Sequence, residues 1–488
     1  MKAIVIGSGI GGLSVALRMA NLGFEVLVFD ANEGPGGKIT SKQLGKYRFD
    51  TGPSVLTEPE LLDELLVNSN QAPLEYKVLD ESCRYFFSDG SRIVLGTGEE
   101  KVSEVFIHKL GENPNKVKKY LRKIKSNYTK LKPVFIEVSL HRLRHLVNHY
   151  FIRALSGVFG YGLFQTMHEY HGKTFKNKNT IQLLNRFATY NGSSPYEAPG
   201  LLNIIGHLEL NVGPVMPIKG MADITHRIYA ACLEKGVQFE FKSKVESILV
   251  QNKKAVGVLA NKKKYLADIV VSNMDVHFTY ERLLSQQKPP KKILNQEKSS
   301  SAIVFYWGIN TSFPELGVHN ILFSEDYAKE FKFLFEDKRL GEDLTVYIHI
   351  TSKEIKSDAP DGCENWFVMV NAPIIEKQDW NKEIERVRDL VITRINRELK
   401  TDINKHIEVE DYMDPNIIEK KYFGKQGSIY GNSSNSKYAA FYRHPNFSSK
   451  IKGLYFTGVT VHPGGGIPLA LNASKIVERC IREDYKLP

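Results

Sequence analysis

The chain opens on three short segments with different hydrophobic rhythms. Lys2-Ala-Ile-Val-Ile-Gly7 is an unbroken apolar run rich in β-branched residues, which predicts a parallel strand buried on both faces. From Leu13 to Leu22 the apolar positions recur at helical spacing until Gly23 ends them, and Glu25-Val-Leu-Val-Phe29 predicts a second strand. Similar runs return far downstream. Phe239 to Ile248 and Asp268 to Asn273 each predict a strand. Gly453-Leu-Tyr-Phe-Thr-Gly458 predicts another, which passes through a glycine-rich turn into a helix from Leu469 to Arg479. Residues 111–184 predict helices.

Between the first strand and the first helix stands Gly7-Ser-Gly9-Ile-Gly11-Gly12, in the strand–turn–helix setting that makes this glycine pattern informative. Gly7 permits the tight turn, Gly9 lets the backbone approach a pyrophosphate, and Gly12 lets the helix pack close to the strands. The helix N-terminus then offers N–H groups and a positive dipole end to phosphates. Asp30 follows the second strand, about 20 residues on, where a carboxylate accepts from ribose hydroxyls and disfavours a 2′-phosphate. These features predict a dinucleotide. NAD and FAD both carry ADP, so the motif does not separate them.

Composition narrows the classes. A chain of 488 residues, 42% apolar, is long enough for two or three domains with large cores. Cys83, Cys232, Cys363 and Cys480 are far apart, which excludes Cys-x-x-Cys zinc and dithiol motifs and fits scattered reduced thiols in a cytosolic protein. The nucleotide pattern already begins at Ala3, so no cleavable leader is expected. The longest uncharged apolar candidate, Ala154 to Met167, is short for a membrane span and contains Gly157, Gly160 and Gly162.

Net charge is +11, and it is concentrated. Lys101 to Arg153 holds thirteen Lys or Arg against Glu104, Glu112 and Glu137, a local excess of +10. The aromatics Tyr150, Phe151, Phe159, Tyr161 and Phe164 lie at its end. This pairing suits an anionic membrane surface. A solvated helical face beside a core helix is the alternative reading, and a nucleic-acid partner is not expected.

Ala31-Asn-Glu-Gly-Pro-Gly36-Gly37-Lys38 and Phe49-Asp50-Thr51-Gly52-Pro53-Ser54 carry the argument from nucleotide to flavin. Here the sequence resembles the FAD oxidoreductases that include amine oxidases, carotenoid desaturases and Rab GDP-dissociation inhibitors. The resemblance implies FAD as cofactor, held by Gly7, Gly9, Gly11, Gly12, Asp30, Ala31, Gly37, Lys38, Gly52, Pro53, Ser54, Val245, Asn273, Gly458, Gly466, Ile467 and Pro468. Val245 would touch the adenine through its backbone. The second helix N-terminus, after Gly466, would face the ribityl chain and the flavin carbonyls. No metal is expected.

His462-Pro-Gly-Gly-Gly-Ile-Pro468 sharpens the resemblance to bacterial phytoene-desaturase-type carotenoid enzymes. Ser194-Pro-Tyr-Glu-Ala-Pro199, Ser272-Asn-Met-Asp-Val-His277 and Gly427-Ser-Ile-Tyr430 extend it along the full length. The chain departs from the family's usual Gly-Ala-Gly-Thr-His-Pro by reading Gly458-Val-Thr-Val461-His-Pro. Its look is closest to hydroxycarotenoid 3,4-desaturases. The resemblance thus implies removal of a hydride to flavin N5 and of a proton, most simply 3,4-desaturation of a 1-hydroxylated carotenoid such as hydroxy-γ-carotene. Phytoene desaturation, carotenoid cis–trans isomerisation and a non-enzymatic prenyl-group binder are the alternatives. Oxygen or a quinone would reoxidise the flavin.

His462 is the best ionisable candidate for a catalytic group, against the reading of a hydrogen-bonded structural histidine. His168, Glu169 and His171 lack a further ligand at metal spacing and are expected at a wall or rim of the substrate channel. The expected architecture combines α/β and α+β parts. A Rossmann-like FAD-binding domain of the glutathione-reductase/amine-oxidase type would use residues 1–70, 215–285 and 445–488. A mixed-sheet substrate domain would use 71–110, 185–214 and 286–444. A helical, membrane-associated cap would use 111–184, placing the protein in the cytoplasm, peripheral on the cytoplasmic membrane.

Overall fold

The computed structural model describes residues 1–487 apart from 147–148, 156, 158–159, 437–438 and 440–441. Phe159 of the aromatic stretch therefore lies outside the described residues.

The first apolar run forms the central strand of a five-stranded parallel sheet. The order is Leu454–Phe456, Ile269–Ser272, Lys2–Ile6, Glu25–Phe29 and Gln238–Glu240. Ala3, Ile4, Val5 and Ile6 are all buried, because helices and a small antiparallel sheet cover the two faces. On one face the helix Ile10–Asn21 packs against the carboxy-terminal helix Ile467–Tyr485, longer at both ends than its sequence pattern predicts. Arg18 joins the two through a 3.0 Å ion pair with Glu478.

One predicted strand is corrected. Phe239 to Ile248 is broken at Phe241–Lys244: Gln238–Glu240 belongs to the parallel sheet, and Val245–Gln251 starts a separate three-stranded antiparallel sheet. The break occurs where Lys242 adopts φ 53°, a left-handed conformation that no strand can carry.

The second large sheet is mixed. Seven strands run in the order Ile407–Met413, Ser301–Ile309, Glu364–Ala372, Val346–Ile350, His319–Leu322, Glu81–Phe86 and Arg92–Gly96; only the pair His319–Leu322 with Glu81–Phe86 is parallel. Every residue of Ser301–Ile309 is buried, as a strand covered on both faces requires. Residues 114–185 supply the helices Pro114–Leu131, Met167–Thr174 and Lys178–Asn185 with shorter turns between them. Pro114–Leu131 buries Val117, Tyr120, Leu121, Ile124, Tyr128 and Leu131 along one stripe. Among the described residues no helix is long and apolar enough to cross a membrane.

The four thiols are free, and burial pushes Cys83 and Cys480 up to about 12, so both stay protonated.

Candidate functional site

A cavity of about 740 Å³ runs between the two large sheets. Its walls differ from end to end. One end is built from Gly7, Gly9, Gly11, Asp30, Gly37, Gly52 and Gly458; the other from Leu131, Ala154, Tyr161, Leu163, Leu201 and Ile204, and the sheet residues Val304, Phe367 and Met369 line the wall beside Ile429, which Lys38 touches.

The glycine end is a matter of close backbone approach. A Cβ on Gly12 would sit 1.9 Å from the Gly7 carbonyl oxygen, and one on Gly52 would sit 1.9 Å from that of Lys38. On Gly11 it would lie 2.9 Å from the backbone of Gly458. The first and last glycine turns thus meet edge to edge, with Asn273 between them: its amide lies 3.4 Å from the Gly7 carbonyl, and a Cβ on Gly458 would strike its Oδ1 at 2.6 Å. The second turn docks onto the first through the Gly36 N–H, which donates to the Ser8 carbonyl at 2.9 Å.

Two helix N-termini open into this end. Ile10 begins one helix. Gly466, at φ 112°, turns the chain into the other, whose first residues Ile467, Pro468, Leu469 and Ala470 also line the cavity. Orphan N–H groups and dipole ends there favour negative charge. Lys38 adds a cation. It is half-buried, donates from Nζ to the Ile429 carbonyl at 2.6 Å, and is pushed down to about 8 by desolvation, with Asp275 pulling the other way. The two helix ends and Lys38 thus offer positive charge to an anion such as a pyrophosphate. The glycine cradle, the two dipole ends and the Lys38 cation together fit FAD.

Sixteen of the seventeen residues expected to hold the cofactor line this one cavity. Gly12 stands behind the turn, where its missing Cβ lets the helix close on Gly7. Asp30 is tied down by the protein itself: one oxygen accepts from Ser8 N at 2.7 Å and Ser8 Oγ at 2.6 Å, the other from Asn32 N at 2.8 Å. Asp50 does not line the cavity. It accepts from the N–H groups of Met221 and Ala222 and so starts the helix Ala222–Glu234.

His462 is a correction. It is 1% exposed and absent from the cavity wall, its Nε2 donates to the Val138 carbonyl at 2.9 Å, and burial pushes it down to about 3, so it stays neutral. The geometry gives it a structural role and no catalytic one. His168, Glu169 and His171 are not at the channel either. His171 bonds Asn185 at 2.8 Å, Asn185 reaches His168 at 3.0 Å, and Glu169 closes a capping box with Thr166. Among the described residues no histidine lines the cavity.

Several polar groups in the wall carry no sequence motif. Arg186 and Tyr190 stand there together, backed by Glu209 and Tyr85. Tyr347 shares a 2.7 Å hydrogen bond with Ser54 and another of 2.7 Å with His319 Nδ1. Arg186 lies in Ile181-Gln-Leu-Leu-Asn-Arg-Phe-Ala-Thr-Tyr190, a mixed polar and apolar stretch that does not mark it as a cavity residue.

Comparison with known proteins agrees with this geometry. A family model described as flavin containing amine oxidoreductase matches residues 10–477. A 1-hydroxycarotenoid 3,4-desaturase from Flavobacterium sp. (strain P99-3) is 44% identical over 97% of this chain and 98% of its own length. A 4,4′-diapolycopene oxygenase from Methylomonas sp. is 31% identical over 99% of both chains. Among solved structures, an oxidoreductase from Methanosarcina mazei superposes with a TM-score of 0.67 at 16% identity, covering 99% of this chain and all of the other. Putrescine oxidase superposes at 0.65 and 14% identity over 99% of both, so the fold is shared well beyond sequence likeness. The chain belongs to the flavin containing amine oxidoreductases, an FAD-dependent oxidoreductase in their carotenoid-desaturase branch.

Proposed function

We propose that this protein desaturates the 3,4 bond of a 1-hydroxylated carotenoid. The supporting observation is one cavity with a glycine and helix-terminus end and an apolar end, in a chain 44% identical to a 1-hydroxycarotenoid 3,4-desaturase. Gly7, Gly9 and Gly11 would hold the pyrophosphate, Asp30 and Ala31 the ribose, and Val245 the adenine. Lys38, Gly52, Pro53, Ser54, Gly458 and Gly466 to Pro468 would border the ring. When bound, the flavin supplies a two-electron acceptor for hydride.

The rest falls to the chain's own residues. Leu202, Ile204, Phe367 and Met369 hold a straight polyene against that end and keep water out. An allylic C–H beside a conjugated chain ionises with its charge spread over many carbons, so a strong base is not required. That fits a wall without histidine.

Expression in cells that make hydroxy-γ-carotene, and separately in cells that make phytoene, tests the reading. The expected product appears in the first background and is two hydrogens lighter than its precursor. A product of unchanged mass would mean isomerisation. A gain of oxygen would place the activity with the oxygenase relatives.

We propose further that the helical region docks on an anionic membrane. Ile152 is 71% exposed and Phe164 77% exposed, with Tyr150 beside them, while Phe151, Ala154 and Leu163 from the same stretch line the cavity. A long apolar substrate could then enter from lipid without crossing water. The face formed by Lys118, Lys119, Arg122, Lys123 and Lys130 supplies the charge. Liposomes containing anionic lipid should bind the protein, and binding should fall with salt and on Ile152→Ser with Phe164→Ser. Unchanged binding by that double variant would move the contact elsewhere. Oxygen and membrane quinone, the two candidate acceptors, separate in an anaerobic assay with quinone added.

A further inference from the structure

The tyrosine hydroxyls of the cavity wall are not all alike. Tyr161, Tyr190 and Tyr347 spend theirs within the protein, on Ala154, Glu209 and Ser54. Tyr430 does not. Its backbone N–H donates to Ser299 Oγ at 3.0 Å, but its hydroxyl has no hydrogen-bond partner among the described residues. Nor is that hydroxyl closed off, as Ser428 Oγ two residues earlier is. The residue lies deep in the molecule, where desolvation pushes the phenol up to about 12, and yet it is only half-buried. The surface it shows is therefore cavity surface.

The ring is held in one place. A Cβ on Gly465 would fall 2.4 Å from its Cδ1, and one on Gly192 would fall 3.0 Å from its Cδ2, so two glycines make room for it from either edge. Gly465 directly precedes the turn into the terminal helix, and Ile429, the residue before Tyr430, accepts from Lys38. Both contacts put the phenol at the cofactor end. Asn191, the neighbour of Gly192, lines the same cavity, and its amide likewise has no partner among the described residues and is not closed off.

Water can satisfy these groups while the cavity is open. A hydrocarbon ligand that displaced the water would leave them bare, which is costly, whereas an oxygen-bearing one would replace the lost bonds. Position narrows the choice further. In a 1-hydroxylated carotenoid the oxygen is only a few bonds from C3 and C4, so a group that receives it must stand beside the flavin and not at the apolar end of the cavity.

We infer that the Tyr430 hydroxyl, with the Asn191 amide, receives the terminal hydroxyl of the substrate and thereby sets which carbon–carbon bond lies at the flavin end. This rests on the desaturase reading above. One polar anchor then fixes the register of an otherwise featureless chain. Tyr430 and Asn191 are specificity residues in this scheme and take no part in the bond changes.

The test compares ligands and does not depend on turnover. Flavin-loaded protein, reduced with dithionite so that it cannot oxidise the ligand, is titrated with a 1-hydroxylated acyclic carotenoid and with its 1-deoxy analogue, read by tryptophan quenching. The unmodified protein should prefer the hydroxylated ligand by tenfold or more. Tyr430→Phe removes one oxygen and keeps the ring between its glycines. It should lower that preference at least fivefold through the hydroxylated ligand alone, with affinity for the deoxy analogue kept or raised; a packing role would weaken both ligands together. Asn191→Leu should act in the same direction, and it carries the test if Tyr430→Phe loses flavin. No preference in the unmodified protein, or a preference undiminished in the flavin-retaining variants, overturns the inference. A preference that Tyr430→Phe abolishes, in a protein that yields no dehydrogenated product, would instead refute the desaturase reading and leave this one standing.

Discussion

The two ends of the cavity are built by opposite means. At the cofactor end the wall is main chain: glycines whose missing side chains let three turns touch, and two helix ends whose N–H groups are left over by helix geometry. At the substrate end the wall is side chain, contributed by helices, turns and a sheet spread over residues 128–208 and 302–371. A main-chain site tolerates almost no added atom and accepts one shape of ligand. A side-chain site can be recut residue by residue while the fold stands. That division allows relatives named as desaturase and oxygenase to align with this chain over almost its whole length.

If the division is real, the most damaging single change is an atom added at the glycine end. Gly11→Val should lower FAD affinity at least a hundredfold, because even its Cβ would press on the Gly458 backbone at 2.9 Å and on Asn273 at 2.7 Å. The purified variant should be colourless at 450 nm with its helical circular dichroism retained. A yellow Gly11→Val protein of full stoichiometry would mean that backbone approach is not what holds the cofactor.

The mirror experiment fills the other end. Leu202→Trp narrows the apolar wall without touching a glycine turn. Product formation should fall tenfold or more while flavin content stays at the unmodified level. Loss of flavin together with activity would show that the two ends are not independent.

The contrast also explains what was legible in the sequence. Gly7 to Gly12, Gly36 to Lys38, Gly52 to Ser54 and Gly458 to Pro468 could be placed because each is a compact string in which backbone geometry dictates residue type. Arg186, Tyr347 and Glu58 line the same cavity, yet nothing in their neighbours announces it, since their meeting is made by packing between distant elements. His462 misled for the reverse reason. It stands inside a motif, one residue from Pro463 in the wall, but the chain turns its ring away towards Val138. The strand expected through Phe241 failed similarly: apolar alternation continues across Phe239–Ile248, and only the left-handed Lys242 ends it.

Buried charge sharpens the comparison at the cofactor end. Lys38 is pushed down to about 8 by burial, and an anion beside it would raise it again. FAD binding should therefore take up a proton above pH 8 and weaken as pH climbs from there towards 10. Lys38→Met should bind FAD roughly tenfold more weakly at pH 7 and lose most of that pH dependence. Equilibrium binding of FAD across pH 7–10 checks both, and a Met variant with the original slope would remove Lys38 from the account.

The substrate half carries a buried acid with the opposite sign and a smaller effect. Glu330, on the helix Tyr327–Phe335, accepts from Ser324 Oγ and Thr345 Oγ1, each at 2.6 Å, and Thr345 is part of the cavity wall. Burial pushes Glu330 up to about 7, the two hydroxyls opposing it. A raised folded-state value means that the unfolded chain ionises first. Stability from this group is complete below about pH 4.5, drains away as pH rises towards 7, and is flat beyond. Glu330→Gln keeps an oxygen for both hydroxyls and removes the titration. At pH 8 it should melt a few degrees above the unmodified protein, ~1–3 °C for a chain of this size, and at pH 5 the gap should shrink or vanish. Flavin content should not change at either pH, because Glu330 supports the side-chain end alone. A Tm gap that is the same at both pH values would mean that Glu330 is ionised in the fold throughout, held so by Ser324 and Thr345 against its burial.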